Sequence, residues 1–271
     1  MLAVLITCHN RREKTTACLE ALFRSDRPRD LTLEVHLVDD GSTDGTGEAV
    51  RAQFPQVRVH QGDGNLYWAG GMRRAWSEAA KIGYGHYLWL NDDTLIKPHA
   101  LVELLNASSQ LQYQAIIVGT TSALSGFSTL TYGGRTDNGE FLRPNGSLQP
   151  CRYFNGNCVL VPAAVFQKLG NLAPYYRHSF GDFDYGYRAQ RAGVGQFVAP
   201  SILGSCDAHK SLPKWLDPAA PLRKRLRAFY SPLGCHPLEL FHLDLVRSNL
   251  LVGIAHIFST HLRVLFPRVW K

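Results

Sequence analysis

The sequence lacks several features that define other protein classes. Its six cysteines contain no Cys-x-x-Cys pair, which argues against a disulfide framework or a cysteine-ligated metal cluster and fits a reducing compartment. No internal repeat or low-complexity segment is present. With 271 residues, 45% of them hydrophobic and only 19% charged, the chain has the composition of a large globular domain with a sizeable core.

Long hydrophobic runs are also missing. Residues 2–7 are apolar but too short to span a bilayer, and neither a basic leader nor a small-residue cleavage site accompanies them. Residues 250–258 form another short apolar run, with Asp244 before it and Arg263 after it. We therefore expect neither a signal peptide nor a transmembrane helix.

Acidic residues are fewer than basic ones: the chain has 22 Asp and Glu against 29 Lys and Arg, which gives a net charge of +7. The basic excess concentrates at residues 223–227, before a segment that mixes apolar and basic residues. Nucleic acid, a peripheral contact of residues 222–271 with an anionic membrane, or helices packed on a domain with solvated charges would each account for this pattern. No nucleic-acid-binding signature supports the first, and periodicity alone does not separate the other two.

Strand-like and helix-like patterns alternate over the first 119 residues. The predicted strands are residues 2–7, 33–38, 57–60, 87–90 and 115–119. The predicted helices are residues 13–24, 46–54, 70–82 and 98–111. This alternation predicts an α/β fold with a Rossmann-like, mostly parallel sheet and helices on both faces.

Beyond residue 120 the alternation stops. The elements predicted there are a hairpin over residues 130–142 with its turn at 137–139, a strand over 151–161, a helix over 181–192 and a strand over 196–199. Residues 211–221 have a loop-like composition, and a helical pattern follows from Leu222, with interruptions at Pro232 and Pro237.

Polar clusters follow three of the predicted strands, at residues 7–10, 39–42 and 91–94. Open α/β sheets bind ligands outside the carboxyl ends of their strands, so the sequence predicts a ligand site at this edge. The glycine-rich residues 62–71 precede a helix, whose N-terminus favours an anion. An ordinary loop with Trp68 as a core aromatic is the alternative.

Adjacent carboxylates are the clearest chemical signal. Asp92 and Asp93 repel each other unless a cation lies nearby, and Mg²⁺ often binds one or two carboxylates together with substrate phosphates. A solvated turn in which Asp caps the next helix is the alternative. Asp182 near a helix start is a candidate general base, whereas Asp184 has the spacing for an ion pair with Arg188.

Six motifs in order resemble family 2 glycosyltransferases of the GT-A fold, in the rhamnosyltransferase-like branch of bacterial surface-polysaccharide enzymes. They are LITCHNR (5–11), VDDGSTDGT (38–46), GNLYWAGGM (64–72), LWLNDDT (88–94), FNGNCVLVPAAVFQKLG (154–170) and GDFDYGYRAQRAG (181–193). The resemblance divides the chain into a catalytic domain, residues 1–210, and a C-terminal helical extension, residues 211–271. Within the first, residues 1–120 would bind the nucleotide sugar and residues 121–210 the acceptor.

The resemblance implies a role for particular residues. Asp182 takes the position of the catalytic base, and Asp93 and His209 those of contacts to Mg²⁺ or Mn²⁺. The implied donor-binding residues are Thr7, His9, Asn10, Asp40, Asn65, Gly71 and Asp92. The implied sugar and acceptor pocket contains Trp68, Asn155, Asn157 and Asp184. Two departures from the family pattern are Asn-Asp-Asp at the metal motif and Gly-Asp where Glu-Asp is common.

The reaction implied is a single displacement with inversion, from a dTDP- or UDP-linked sugar, such as a rhamnose donor, to a saccharide or lipid-linked acceptor. This would place the chain in polysaccharide or O-antigen synthesis at the cytoplasmic face of the inner membrane. Two alternatives remain open from the residues alone. A nucleotidyltransferase would use the same carboxylates but usually needs a glycine-rich loop with basic residues after the first strand; this chain has the basic residues, Arg11 and Arg12, but no glycine there. A non-catalytic nucleotide- or carbohydrate-binding module would bind without turnover.

Overall fold

A computed structural model describes residues 1–208 and 212–269. Its first part alternates strands and helices as predicted. These elements are β1 Leu2–Cys8, α1 Arg12–Arg24, β2 Leu33–Asp39, α2 Thr46–Gln53, β3 Arg58–Gln61, α3 Tyr67–Ala80 and β4 His86–Leu90. The four strands are parallel, in the order β3-β2-β1-β4.

The sheet continues on the other side of β4 with mixed pairing. The next elements are β5 Leu95–Ile96, α4 Ala100–Gln110, β6 Ile116–Ala123, β7 Gly126–Tyr132, β8 Gly134–Arg135, β9 Gln149–Pro150, β10 Tyr153–Phe154, β11 Cys158–Pro162, α5 Ala163–Leu169, α6 Gly181–Arg191 and β12 Gln196–Ser205. Strand β11 lies antiparallel between β4 and β6, and β12 is parallel to β6. The predicted α/β sheet is confirmed, with antiparallel strands added to its second half.

Alternate side chains of β1 pack into two separate cores. Leu2, Val4 and Ile6 pack with the buried faces of α1, α2 and α4. Ala3 and Leu5 pack with α3, α5 and α6 on the other face. Because helices cover both faces, every residue of β1 is buried, which accounts for its continuous apolar sequence.

Two predictions beyond residue 120 need correction, and one helix was missed. The hairpin over residues 130–142 is reduced to a bridge between Arg135 and Phe141, because β7 pairs with β6 instead. The single strand predicted over 151–161 is divided into β10 and β11, since residues 155–157 leave the sheet to line a cleft. Helix α5 was not predicted at all.

The C-terminal part is helical, as predicted, with α7 Leu222–Phe229, α8 Pro237–Arg247 and α9 Leu250–Leu265 after a short 3₁₀ turn at Lys214–Leu216. Helix α8 packs on α6, and Arg177 joins Glu239 of α8 at 3.1 Å. Buried Asp244 binds both Arg247 and His256, which fastens α9 to α8. Among the described helices, none is long and apolar enough to span a membrane.

Candidate active site

A cleft of about 760 Å³ opens at the carboxyl ends of β1, β2 and β4. The parallel register that sets Cys8 beside Asp39 also brings the polar residues after these strands to one edge of the sheet. The predicted residues that line the cleft are Thr7, His9, Asp40, Trp68, Asp92, Asp93, Asn155, Asn157 and Asp182. Residues more than 170 positions apart in sequence therefore meet in one site.

Four predicted residues do not line the cleft. The side-chain carbonyl of Asn10 accepts the backbone N–H of Thr43 at 2.7 Å, so Asn10 holds the loop after β2. Asn65 is exposed and its amide binds the carbonyl of Asp63. Gly71 packs closely against Thr7, and a Cβ at this position would overlap with the Thr7 hydroxyl oxygen.

Asp184 is the fourth of these residues. Its predicted place in the sugar and acceptor pocket needs correction. Its side chain is buried and forms an ion pair with Arg188 at 2.7 Å, while the Tyr176 hydroxyl donates to its other oxygen. The alternative ion-pair interpretation is therefore the right one for this residue. His209 lies outside the described residues.

Asp40 holds the glycine-rich loop in place. One of its carboxylate oxygens accepts the N–H of Gly64 at 2.9 Å, and the other accepts those of Leu66 at 3.0 Å and Tyr67 at 2.9 Å. These amides belong to the loop that leads into α3, so the carboxylate acts as a cap for the helix start. Its backbone carbonyl accepts a hydrogen bond from His9 at 2.6 Å, which orients that imidazole at the cleft.

Arg11 compensates the charge of the adjacent carboxylates. Its Nη1 lies 3.0 Å from Asp92 Oδ1 and 2.7 Å from Asp93 Oδ2. Asp92 is the more deeply buried of the two acids, and desolvation raises its pKa to about 7 even though Arg11 opposes that shift. Asp93 keeps more exposed surface, and the Cys206 thiol donates to its Oδ1 at 3.3 Å.

The oxygen atoms of this pair suit a hard divalent cation. Within residues 1–208 and 212–269, no group of three or more His, Cys, Asp or Glu side chains is arranged to hold a metal ion. Asp92 and Asp93 are two adjacent carboxylates in the cleft, and Mg²⁺ commonly takes one or two carboxylates when substrate phosphates complete its shell. Asp92 and Asp93 fit such an ion once the ion pair between Arg11 and the Asp93 oxygen is broken.

Asp182 lies at the start of α6 and faces the same cleft. Its Oδ2 accepts the N–H of Gly156 at 2.9 Å, and its Oδ1 accepts that of Phe183 at 2.9 Å. Asp182 is partly exposed and lines the cleft, yet the protein around its carboxyl is dense enough for desolvation to raise its pKa to about 6. Each oxygen retains a lone pair for a further hydrogen bond.

Trp68 connects the two acidic regions. Its indole N–H donates to the side-chain oxygen of Asn91 at 2.7 Å, directly before Asp92. Its ring packs on Gly156, where a Cβ would lie 2.6 Å from the ring carbons. The same Gly156 donates to Asp182, so the indole fixes how the carboxyl end of β4 sits relative to the start of α6.

Other cleft residues were not predicted as site residues. Arg11 was noted only as a basic residue after β1, although its place beside His9 in the LITCHNR motif is a signal that points to the site. Tyr132, His178 and Leu233 also line the cleft. They come from β7, from the loop before α6 and from the connection between α7 and α8, and no local pattern brings these segments together.

Comparisons with known proteins agree with this geometry. The family model described as glycosyl transferase family 2 matches residues 3–170. A Mycobacterium tuberculosis H37Rv protein named N-acetylglucosaminyl-diphospho-decaprenol L-rhamnosyltransferase is 25% identical over 229 residues, which is 73% of each chain.

Solved structures show the same fold at low sequence identity. The crystal structure of S. aureus TarS 1-349 superposes with a TM-score of 0.59 at 15% identity and covers 93% of this chain and 71% of that one. The mannosyltransferase PcManGT from Pyrobaculum calidifontis, in complex with GDP-Man and Mn²⁺, gives a TM-score of 0.56 at 17% identity over 99% of this chain and 82% of that one. The predicted GT-A fold is thereby confirmed.

Proposed function

The chain belongs to glycosyl transferase family 2, and from this membership we propose that it transfers a sugar, with inversion, from a nucleoside diphosphate to a saccharide or lipid-linked acceptor. The observation that carries the proposal is the pairing of one carboxyl poised for proton transfer, Asp182, with a separate acid pair, Asp92 and Asp93, in one cleft. These are the two functions that displacement of a diphosphate by a hydroxyl requires.

Asp182 is the proposed general base. A pKa near 6 leaves most of the carboxyl ionised at neutral pH while keeping it more basic than an ordinary aspartate. Its Gly156 and Phe183 hydrogen bonds fix the carboxylate without using all its lone pairs. It would accept the proton of the acceptor hydroxyl as that oxygen attacks the anomeric carbon.

Asp93 is the proposed ligand of Mg²⁺ or Mn²⁺, with the more deeply buried Asp92 beside it. The donor diphosphate would bind the same ion. When bound, such an ion supplies Lewis-acid stabilisation of the charge on the departing diphosphate. Arg11 would move from Asp93 to a phosphate oxygen, since its guanidinium suits both partners. The loop held by Asp40 and the side chains of Thr7 and His9 would contact the nucleoside.

The donor and acceptor classes are proposed from the relative at 25% identity. The name of that relative specifies an L-rhamnosyl group and a diphospho-decaprenol acceptor. We therefore propose a dTDP-linked deoxyhexose such as rhamnose ahead of a UDP-linked sugar, and a lipid-linked saccharide as the acceptor. Trp68, Asn155 and Asn157 would shape the sugar pocket, in a reaction of cell-surface polysaccharide synthesis at the cytoplasmic face of the inner membrane.

The test is sugar transfer from dTDP- and UDP-sugars to a polyprenyl-diphosphate saccharide, followed across pH. We expect kcat/KM to rise about tenfold per pH unit below pH 6 and then to level off, because Asp182 must be ionised in the free enzyme. An aspartate with its ordinary pKa, 3.8, would place this limb more than two units lower.

The pH profile needs one control, because the burial of Asp92 also raises its pKa, to about 7. The stabilisation of the protein by Mn²⁺ is therefore measured over the same range. Bound Mn²⁺ should keep Asp92 ionised through pH 6, so a constant Mn²⁺ effect assigns the kinetic limb to Asp182, whereas a Mn²⁺ effect that falls together with the limb assigns it to Asp92. Absence of transfer from every donor would remove the proposed reaction, and a limb near pH 4 would remove Asp182 as a buried base.

A further inference from the structure

Helix α9 exposes a continuous apolar face. Leu251 is 77% exposed and Phe258 67%, and Ile254, Leu262 and Leu265 are exposed as well. These residues recur every three or four positions, so they lie along one side of the helix, over roughly 20 Å. Surface helices of water-soluble domains normally turn such a stripe towards the core.

The opposite face of α9 already provides its packing. Gly253, Thr260 and Val264 are buried. A Cβ at Gly253 would lie 2.8 Å from the Phe241 ring of α8, so the two helices are in close contact. Buried Arg225 of α7 donates to the carbonyl of Val264 at 3.0 Å. The exposed leucines and Phe258 are therefore not needed to hold α9 on the protein.

The C-terminal part of the chain carries an excess of basic residues. We name residues 212–269 the C-terminal unit; it contains eight Lys and Arg but only three acidic residues. Two of those acids, Glu239 and Asp244, are buried in ion pairs. The exposed basic residues of α7 are Arg223, Lys224 and Arg227. Such a surface attracts anionic lipid headgroups, whereas a second copy of the same unit would be repelled.

The C-terminal unit also borders the catalytic cleft. Leu233, 68% exposed, lies in the connection between α7 and α8 and lines the cleft. Nearby Tyr230 donates to or accepts from His261 of α9 at 2.8 Å. The C-terminal unit therefore contributes Leu233 to the wall of the cleft, and Tyr230, three residues earlier, contacts α9.

We propose that α9 binds in the headgroup region of an anionic bilayer, with Leu251, Phe258 and Leu262 inserted among the acyl chains. This is the geometry of an interfacial amphipathic helix, in which buried apolar area and attraction to anionic lipids both contribute to binding. The cleft would then open beside the membrane surface. Membrane binding by α9 does not depend on the proposed function. Only the idea that this position lets the cleft receive a lipid-linked acceptor rests on it.

The experiment is flotation of the full chain with vesicles of phosphatidylcholine alone or mixed with phosphatidylglycerol. We expect flotation with the anionic vesicles, weakened by salt, and a partition coefficient at least about tenfold lower for Phe258→Glu. Ile82→Glu is the matched control, since Ile82 is an exposed aliphatic residue after α3, outside the C-terminal unit. Equal melting temperatures of the variants verify that folding is intact.

A second measurement does not depend on a charged substitution. The emission of Phe258→Trp should be quenched by brominated lipids beyond that of the wild type, and Ile82→Trp should not. Absence of flotation, or flotation equal in Phe258→Glu and wild type, would overturn the proposal. A wild-type dimer that Phe258→Glu dissociates would assign the face to a second copy instead. None of these measurements uses a donor, so their outcome is independent of whether sugar transfer occurs.

Discussion

Replacing Asp182 by Asn should lower kcat by about 10²–10⁴-fold, the usual contribution of a positioned general base. The amide has nearly the shape of the carboxylate and can still accept one of the two backbone hydrogen bonds, from Gly156 or Phe183. It cannot take the proton of the acceptor hydroxyl. Donor affinity should change little, because the residues proposed to hold the nucleotide lie on the β1, β2 and β4 side of the cleft.

The neighbouring Asp184→Asn variant is the contrast for this prediction. Asp184 is buried in its ion pair with Arg188, so its replacement should lower the melting temperature while kcat per folded molecule stays within the same order of magnitude. Steady-state kinetics and thermal melts on both variants separate chemistry from folding. Near-normal turnover of Asp182→Asn would remove Asp182 from the role of base.

Replacing Asp93 by Asn should weaken metal binding more than about 100-fold, since even outer-shell groups contribute 10- to 100-fold to metal affinity. Transfer should fall by roughly 10³-fold, which corresponds to roughly 4 kcal/mol of lost stabilisation of the leaving diphosphate. Asp93 is the member of the acid pair with the greater exposure to the cleft. Mn²⁺ titration followed by electron paramagnetic resonance, with the nucleoside diphosphate present, measures the affinity directly.

Arg11→Gln distinguishes a metal ligand from a partner in an ion pair. This variant removes the guanidinium but leaves both carboxylates, so Mn²⁺ affinity without nucleotide should be kept or increased. Asp30→Asn, at an exposed turn between α1 and β2, serves as the neutralisation control. If Asp93→Asn and Arg11→Gln lose Mn²⁺ affinity equally, Asp93 stabilises the local structure and is not a metal ligand.

The first half of the fold could be predicted because its signals are local. Strand β1 is buried on both faces and reads as a continuous apolar run, and α1 presents Cys18, Leu19 and Leu22 on one side. The strand predicted over residues 151–161 was wrong because its interruption is caused by distant packing. Gly156 leaves the sheet to fit under Trp68 of α3, and no periodicity within the segment records that contact.

The site could be predicted where chemistry follows strand or helix ends. Asp92, Asp93 and Asp182 were identified in this way, and all three line the cleft. Asp184 was assigned to the acceptor pocket through the resemblance, although its spacing to Arg188 already indicated the ion pair that the structure shows. The contribution of Leu233 depends on how the C-terminal unit docks against α6, which is a tertiary property that the residues around it do not encode.

The most direct test of the central claim is the melting temperature of the wild-type chain with UDP, dTDP and GDP, each with and without Mn²⁺. A glycosyltransferase cleft of this kind should be stabilised by one of these diphosphates, and only in the presence of the ion. The gain should follow ligand concentration as expected for binding to the folded state. No shift with any diphosphate, or a shift with nucleoside triphosphates alone, would contradict the assignment of this cleft to a nucleoside diphosphate sugar.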